Sequence, residues 1–322
     1  MLTLYDLQSG KLIVRQNAEV TEQTVWIDLL NPTPEDEKLV EDYLDVDVPT
    51  AEEQMEIEAS SRLYKEDGAY FMTATLIYHL DHGEPATTPV TFILAGSRLI
   101  TVRYAEPRAF AIFAARCNRS DATLTNGTAV LLGLMDTIID RLADFIERIQ
   151  KEVGSLSRAI FEIKGSMASR QRRYDVMLRS IGREGDLTSK ARESAYTLGR
   201  LLTYAALAAN ERNEDAGLRS RIKSASRDVT SLTDQIAFLS GKIIFLLDAT
   251  LGMINIQQAD IIRIVSIAAV VFLPPTLVAS IYGMNFQHMP ELQWPGAYPV
   301  VLIVIALAAV LPYLFFKRKG WL

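Results

Sequence analysis

Two long runs without a charged residue lie near the carboxyl end of this 322-residue chain. The first run, 264–283, has 20 residues, and the second extends from 298 to 316. As a helix, either run is long enough to cross the roughly 30 Å hydrocarbon core of a lipid bilayer. Almost all of the charged residues come before these runs. The pattern therefore predicts a large water-soluble part followed by two transmembrane helices.

Basic residues mark the two ends of this apolar region. Lys317, Arg318 and Lys319 follow the second run and Arg263 precedes the first, whereas the connecting loop, 284–297, contains neither Lys nor Arg. Cytoplasmic flanks of membrane spans are enriched in Lys and Arg. We therefore predict a multi-pass protein of the cytoplasmic (inner) membrane with both termini in the cytoplasm. The first residues lack the basic and apolar pattern that is typical of a signal peptide.

The soluble part divides by its secondary-structure pattern. Before residue 125, β-branched and aromatic runs alternate with turns, which is typical of a mixed α/β domain. Thr33, followed by the acidic residues 35–37, predicts the N-terminus of a helix. Strand signals then end, and three long helical patterns follow, at 128–164, 168–211 and 215–282.

The third helical pattern has no breaker before the first apolar run, so one helix is predicted from about 217 to 281. At 1.5 Å per residue it would extend on the order of 100 Å. Its heptad seam fits either a helical hairpin within one chain or a stalk that joins several copies. The seam consists of Val229, Leu232, Ile236, Leu239, Ile243, Leu246, Thr250, Met253 and Gln257.

The predicted organisation therefore has seven parts. They are an α/β domain (1–125), long cytoplasmic helices (126–215), a stalk helix (216–260), a first transmembrane helix (261–283), an extracytoplasmic loop (284–297), a second transmembrane helix (298–316) and a basic tail (317–322).

Small and polar residues of the first span fall largely at helical spacing. They are Ser266, Ala269, Thr276, Ser280 and Gly283. Such residues either line a water-filled path or hold membrane helices together, and periodicity does not separate the two alternatives. Two spans of one chain cannot enclose a path, so conduction requires several copies around an axis.

The first span contains neither Asp nor Glu. A divalent ion that crosses it would therefore keep most of its water, and Mg²⁺ gives up water reluctantly. Gly283-Met284-Asn285 ends this span, which places the Asn285 amide where it can meet a hydrated ion. The membrane potential supplies about 4.6 kcal/mol for two charges at 100 mV, so nucleotide hydrolysis is not required.

The segment 282–292, Tyr-Gly-Met-Asn-Phe-Gln-His-Met-Pro-Glu-Leu, resembles the signature of the CorA family of divalent-cation transporters. The basic chain end and the order of soluble domain, long helix and two spans agree over the full length. The resemblance implies an α+β cytoplasmic domain, a long stalk helix and two transmembrane helices, assembled as a funnel-shaped homopentamer. It also implies passive entry of Mg²⁺, and often of Co²⁺ or Ni²⁺, with cytoplasmic Mg²⁺ as the regulator.

The resemblance further implies roles for individual residues. The implied positions are Gly283, Met284 and Asn285 for an outer selectivity filter; Thr276 for a second polar ring; Leu273, Val265 and Ile262 for hydrophobic constrictions; Arg263, Lys317, Arg318 and Lys319 for a basic belt; and Glu291 in the loop. Hydrophobic constrictions gate by dewetting. The hydrated ion would be bound at Asn285. No motif places the family's regulatory metal site, which stays unassigned.

Two alternatives to magnesium transport stay open. The CorA family includes zinc transporters of the ZntB kind, which are thought to be proton-coupled, and His288 favours a softer metal. The loop 289–292, Met-Pro-Glu-Leu, favours the magnesium branch instead. The second alternative is a membrane-tethered sensor that relays the state of the cytoplasm without conducting an ion.

Composition and motifs argue against other functions. The net charge of −6 disfavours nucleic-acid binding, and Cys117, the single cysteine, has no partner for an internal disulfide. No catalytic constellation or phosphate loop is present, so we do not expect an enzyme. The eleven carboxylates of 35–58 predict a solvated face or a cation-attracting surface. His79, Asp81 and His82 form an incomplete set of metal ligands.

Overall fold

A computed structural model describes residues 1–8, 11–16, 19–80, 83–119, 124–162, 167–284 and 289–321. The chain forms two compact units. The first unit contains Met1–Glu162 and Met177–Leu246, and the second contains Ile163–Val176 and Leu247–Leu322.

A seven-stranded sheet forms the centre of the first unit, with the strand order β2-β1-β3-β7-β6-β5-β4. Neighbouring strands are antiparallel except β3 and β7, which pair in parallel with Ile27 opposite Ile100. The strands are β1 Leu2–Gln8, β2 Lys11–Gln16, β3 Thr24–Leu30, β4 Leu63–Glu66, β5 Ala69–Tyr78, β6 Ala86–Ala95 and β7 Arg98–Arg103.

Helices make up most of the remaining described chain. They are α1 Pro34–Leu44, α2 Ala51–Gln54, α3 Ala59–Arg62, α4 Arg108–Arg119, α5 Gly127–Phe161, α6 Met167–Glu211, α7 Ala216–Tyr282 and α8 Ala297–Arg318, with a 3-10 helix at Pro290–Gln293. Helix α1 begins as its sequence predicts, because the Thr33 hydroxyl accepts from the Asp36 N–H and the Asp36 carboxylate accepts from the Thr33 N–H.

The two faces of the sheet carry different helices. The first face is covered by α1 and the turn after it, whose Val40, Val46 and Val48 are buried in the same core as Leu4, Ile27, Phe71, Ile93 and Ile100. Side chains alternate between faces along a strand, so Trp26 and Phe92 point to the second face. There they meet Phe110 and Phe113 of α4. The unit is therefore a three-layer arrangement of helix, sheet and helix.

A buried ion pair joins the parallel strands β3 and β7. The Arg103 guanidinium donates to both carboxylate oxygens of Asp28, at 3.0 and 2.8 Å. The Thr101 hydroxyl donates to the same carboxylate at 2.7 Å and accepts from the Trp26 indole at 2.9 Å. Arg103 also lies over the Phe110 ring at 4.7 Å. A bidentate pair with this many partners fixes the register of the two strands.

The heptad seam of α7 is buried within one chain along the first unit. Val229, Ile236, Leu239, Ile243 and Leu246 are buried. Beside these residues, the Gln235 amide of α7 donates a hydrogen bond to Gln150 of α5. The Ser240 hydroxyl of α7 accepts a hydrogen bond from Arg192 of α6. This part of the seam is therefore packed within one chain, as the helical-hairpin alternative expects, rather than against another copy.

In the second unit, α7 and α8 contain the apolar runs. Both are long and apolar enough to cross a membrane, by length and composition. The expected fold class, a mixed α/β domain followed by a long helix and two membrane-length helices, is thus confirmed. Strands β1 and β4 and the helices α2, α3 and α4 were not predicted.

Candidate functional site

The residues expected to line a pore lie on one side of α7. The spacing between them is three or four residues throughout, which on a helix forms a single stripe. We call this stripe the lining stripe; it consists of Ile262, Val265, Ala269, Leu273, Thr276, Ser280 and Gly283, all of them exposed. Ser266 is exposed beside it. The stripe is uncharged and leaves large apolar side chains such as Leu273 uncovered.

The opposite side of α7 is partly covered. Its half-buried and buried residues, again three or four apart, are Ile267, Val271, Pro274, Val278 and Tyr282. At about 100° per residue, this side lies roughly 180° around the helix from the lining stripe. Helix α8 has a matching half-buried side at Val301, Ile305, Ala308, Pro312 and Phe316. Each of the two helices therefore has one half-buried side, and the lining stripe of α7 is not part of it.

Thr276 is a polar group within the lining stripe. Its hydroxyl donates to the Phe272 carbonyl at 2.8 Å. The hydrogen is therefore used inside the helix, and the oxygen lone pairs are left to accept. A hydrated cation presents the hydrogens of its water outward, so an acceptor is the group that can bind it. Two prolines, Pro274 and Pro275, precede Thr276 inside the same helix.

The end of α7 contains part of the expected selectivity filter. The Gly283 N–H donates to the Ala279 carbonyl at 3.0 Å, and the Met284 N–H to the Ile281 carbonyl at 3.3 Å. Met284 is exposed. Asn285 and His288 lie outside the described residues, so their expected roles stay predictions. Glu291 falls in the 3-10 helix, and its side chain is likewise outside the described part.

The residues of the expected basic belt differ in their surroundings. Arg263 forms an ion pair with Asp260, one helical turn away, at 3.2 Å. Sequence reasoning missed Asp260, although an acid three residues before an arginine is a recognisable helical pair. Lys317 and Arg318 lie in the last turn of α8 and Lys319 is its C-terminal cap. Cations at this end of a helix interact favourably with the helix dipole.

A metal site in the soluble unit gains no support. His79 has a left-handed backbone, with φ of 59°, and packs against Tyr78. Asp81 and His82 lie outside the described residues. Across the described ranges, His, Cys, Asp and Glu do not form a group of three that could hold a metal ion. Cys117 is buried, and burial raises the pKa of its thiol.

Comparison with known proteins matches this arrangement to one family. The family model described as CorA-like Mg²⁺ transporter protein matches residues 21–318. The chain belongs to this family. The magnesium transport protein CorA of Escherichia coli (strain K12) is 34% identical over 324 residues, which cover all of both chains. The expected CorA resemblance is therefore confirmed.

Solved structures show that the CorA-family fold extends over the whole chain. The complete structure of the CorA magnesium transporter from Methanocaldococcus jannaschii covers 100% of this chain and 99% of its own, with a TM-score of 0.80 at 15% identity. The cytoplasmic domain of ZntB from Vibrio parahaemolyticus covers 79% of this chain and 97% of its own, with a TM-score of 0.57 at 11% identity. At such identities the likeness concerns the fold alone.

Proposed function

We propose that this chain mediates passive uptake of Mg²⁺ across the cytoplasmic membrane, as an assembly of several copies around a central axis. In this assembly the lining stripe of each copy faces the axis and both termini lie in the cytoplasm. The observation that carries the proposal is the uncharged, exposed stripe of α7, which lies opposite the partly covered side of the same helix. Membership of the CorA family and the name of the Escherichia coli relative support Mg²⁺ as the cargo. We infer no enzymatic activity.

The chemistry of the lining stripe fits transport of a hydrated ion. Acceptors at Thr276 and Ser280 bind water hydrogens, and the Asn285 amide would select the ion at the outer end. Apolar side chains at Leu273, Val265 and Ile262 would form constrictions that close by dewetting. The membrane potential drives the ion inward at about 2.3 kcal/mol per charge for 100 mV. Cytoplasmic Mg²⁺ would close the path, and Co²⁺ or Ni²⁺ would follow the same route.

Ion flux into liposomes tests this proposal. The purified full-length chain is reconstituted, an inward-negative potential is applied, and Mg²⁺ entry is followed with an internal dye. We expect entry that rises with the potential. Asn285→Ala should change the flux or its selectivity between Mg²⁺ and Na⁺. An unchanged flux in this variant would exclude Asn285 from the filter, and no flux in the native protein would support the sensor alternative.

Thiol labelling tests which side of α7 faces water. In a Cys117→Ser background, Thr276→Cys should react with a hydrophilic, membrane-impermeant thiol reagent and lose flux after labelling. Leu277→Cys is a matched control, because Leu277 is 61% exposed at the same depth but lies about 100° around the helix. Equal labelling at both positions would contradict the assignment of the lining stripe.

A zinc transporter of the ZntB kind is the second candidate. It is favoured by the fold similarity to the ZntB cytoplasmic domain, which covers 79% of this chain. The same liposomes are assayed with Zn²⁺, with and without a pH gradient. Zinc entry that rises with the proton gradient, together with absent Mg²⁺ entry, would replace our first choice with this one.

A further inference from the structure

A cavity lies between α5, α6 and the residues that follow β5. Its volume is about 360 Å³, which is within the usual range of pockets that hold small molecules. Its walls combine charged side chains with the apolar Leu156 of α5 and Leu187 of α6. We call it the α5–α6 cavity. All of its lining residues belong to the first unit, so the cavity is complete within one copy of the chain.

Glu184 of α6 is the unusual residue of this cavity. Only 7% of it is exposed, and its Oε2 atom has no hydrogen-bond partner within the described part of the chain. Burial raises the pKa of this carboxyl, and so does Glu152, against the opposing effect of Arg183 and Arg148. Buried polar groups nearly always have a partner, because burial removes the hydrogen bonds that water gave them. An occupant that donates to Oε2 would supply the missing hydrogen bond.

Both signs of charge line the α5–α6 cavity. Each helix supplies one arginine and one glutamate: Arg148 and Glu152 from α5, and Arg183 and Glu184 from α6. The Arg148 guanidinium is already used, because it donates to the Leu80 carbonyl at 2.6 Å. Arg183 has neither a hydrogen bond nor an ion pair with any other described residue. A carboxylate oxygen and a guanidinium without partners therefore line the same cavity.

The balance of charge indicates the class of occupant. The charges of the two arginines and the two glutamates cancel, so a divalent cation would add an uncompensated positive charge beside two guanidinium groups. Two carboxylates are also fewer than the three ligands of a metal group, which the described residues do not form. A zwitterion leaves the charges balanced, and the apolar walls suit an apolar part of the same molecule. At about 30 Å³ for each water molecule, the cavity has room for a molecule the size of an amino acid.

We propose that the α5–α6 cavity binds a small zwitterion with an apolar part, of which a free amino acid such as leucine is a simple case. The ammonium group of the ligand donates to Glu184 Oε2, and its carboxylate accepts from the Arg183 guanidinium. Its apolar part lies against Leu156 and Leu187. The site belongs to the soluble part of one copy, so the proposal depends neither on the proposed ion path nor on the number of copies in the assembly.

Titration calorimetry of the full-length protein in detergent tests the site, with L-leucine as the probe. Two analogues separate its charges: 3-methylbutylamine lacks the carboxylate, and 4-methylpentanoate lacks the ammonium group. We expect saturable binding of leucine, weaker binding of the amine and no measurable binding of the acid, because a lone carboxylate would meet the buried Glu184. The proposal is overturned if leucine shows no saturable binding, or if 4-methylpentanoate binds as tightly as leucine. Displacement of leucine by Mg²⁺ alone would show a cation site instead.

Variants assign the two charged contacts. Glu184→Gln should weaken leucine binding by at least about tenfold, since a hydrogen bond to a charged group is lost. Glu193→Gln is the matched control, because Glu193 is exposed on the same helix and does not line the cavity. Arg183→Met should weaken binding of leucine but leave binding of 3-methylbutylamine unchanged, since the amine has no carboxylate. Melting temperatures confirm that each variant is folded. Unchanged leucine binding in Glu184→Gln, or an equal loss in Glu193→Gln, would exclude the site.

Discussion

Removing the Asp28 carboxylate tests how the central sheet is held together. In Asp28→Ala the Arg103 guanidinium keeps its burial, with 10% of its side chain exposed, but loses both charged hydrogen bonds. The Thr101 hydroxyl loses its acceptor as well. Breaking a buried ion pair from one side typically costs about 3–5 kcal/mol, because an uncompensated charge stays buried. For a unit of this size, 1 kcal/mol shifts the melting temperature by roughly 2–4 °C. We therefore expect a decrease of roughly 10 °C.

Tryptophan fluorescence during heating of the full-length protein measures this change. Trp26 is fully buried beside the ion pair, whereas Trp294 and Trp321 are 59% and 50% exposed. The red shift on unfolding therefore comes mainly from the strand that is perturbed. Asp28→Ala combined with Arg103→Met should recover part of the lost melting temperature, because no charge is then left buried. The reasoning is refuted if the melting temperature falls by less than about 3 °C in the single variant, or if the double variant recovers none of the loss.

Three further predictions follow from other positions. Gly127→Ala should destabilise the chain by several kcal/mol, because its new Cβ would overlap the backbone of Arg98. Gly154→Ala, in open space on the same helix, should stabilise the chain by about 0.5–1 kcal/mol. Chemical denaturation of both variants measures the two free-energy changes. Burial raises the pKa of the Glu184 carboxyl, so ionising it costs stability as the pH rises above the ordinary glutamate value of about 4.3. Glu184→Gln should thus be more stable than the native chain near pH ~7 and lose this advantage near pH ~4. The melting temperatures of both proteins are measured against pH, and a difference that does not change with pH would contradict this sign. Leu273→Asn should raise basal Mg²⁺ flux into liposomes severalfold, since a polar side chain wets a hydrophobic constriction; unchanged flux would remove Leu273 from the gate.

Local sequence signals predicted the elements whose structure is decided locally. Thr33 with its following acids forms the expected N-terminal cap of α1, and the absence of a breaker before residue 264 corresponds to one continuous α7. The spacing of Ala269, Thr276, Ser280 and Gly283 indicates one side of a helix, whereas Ile262, Val265 and Leu273 are implied by the family resemblance. That this side lines a path stays a prediction. Strand β4 was missed, since its Leu-Tyr-Lys-Glu sequence acquires a strand conformation by pairing with β5.

Tertiary features were not accessible from the pattern. The half-buried side of α7 at Ile267, Val271, Pro274, Val278 and Tyr282 lies in a run without charged residues, so no charged side opposite it marks it in the sequence. The exposure of Ile57 is a second case. Sequence rules place isoleucine in a core, whereas the structure leaves Ile57 88% exposed, three residues after the buried Gln54. The exposure of a single apolar side chain therefore requires the structure to be found.

The paired prolines in α7 have a thermodynamic consequence for a single chain in lipid. Pro274 and Pro275 have no N–H, so the carbonyl oxygens of Val270 and Val271 lose their usual helical donors. Each unsatisfied backbone group in hydrocarbon costs several kcal/mol. The second apolar helix offers no side-chain donor from Val301 to Leu311. A solitary copy in the bilayer is therefore a high-energy species unless water or a donor from another chain reaches these two carbonyl oxygens.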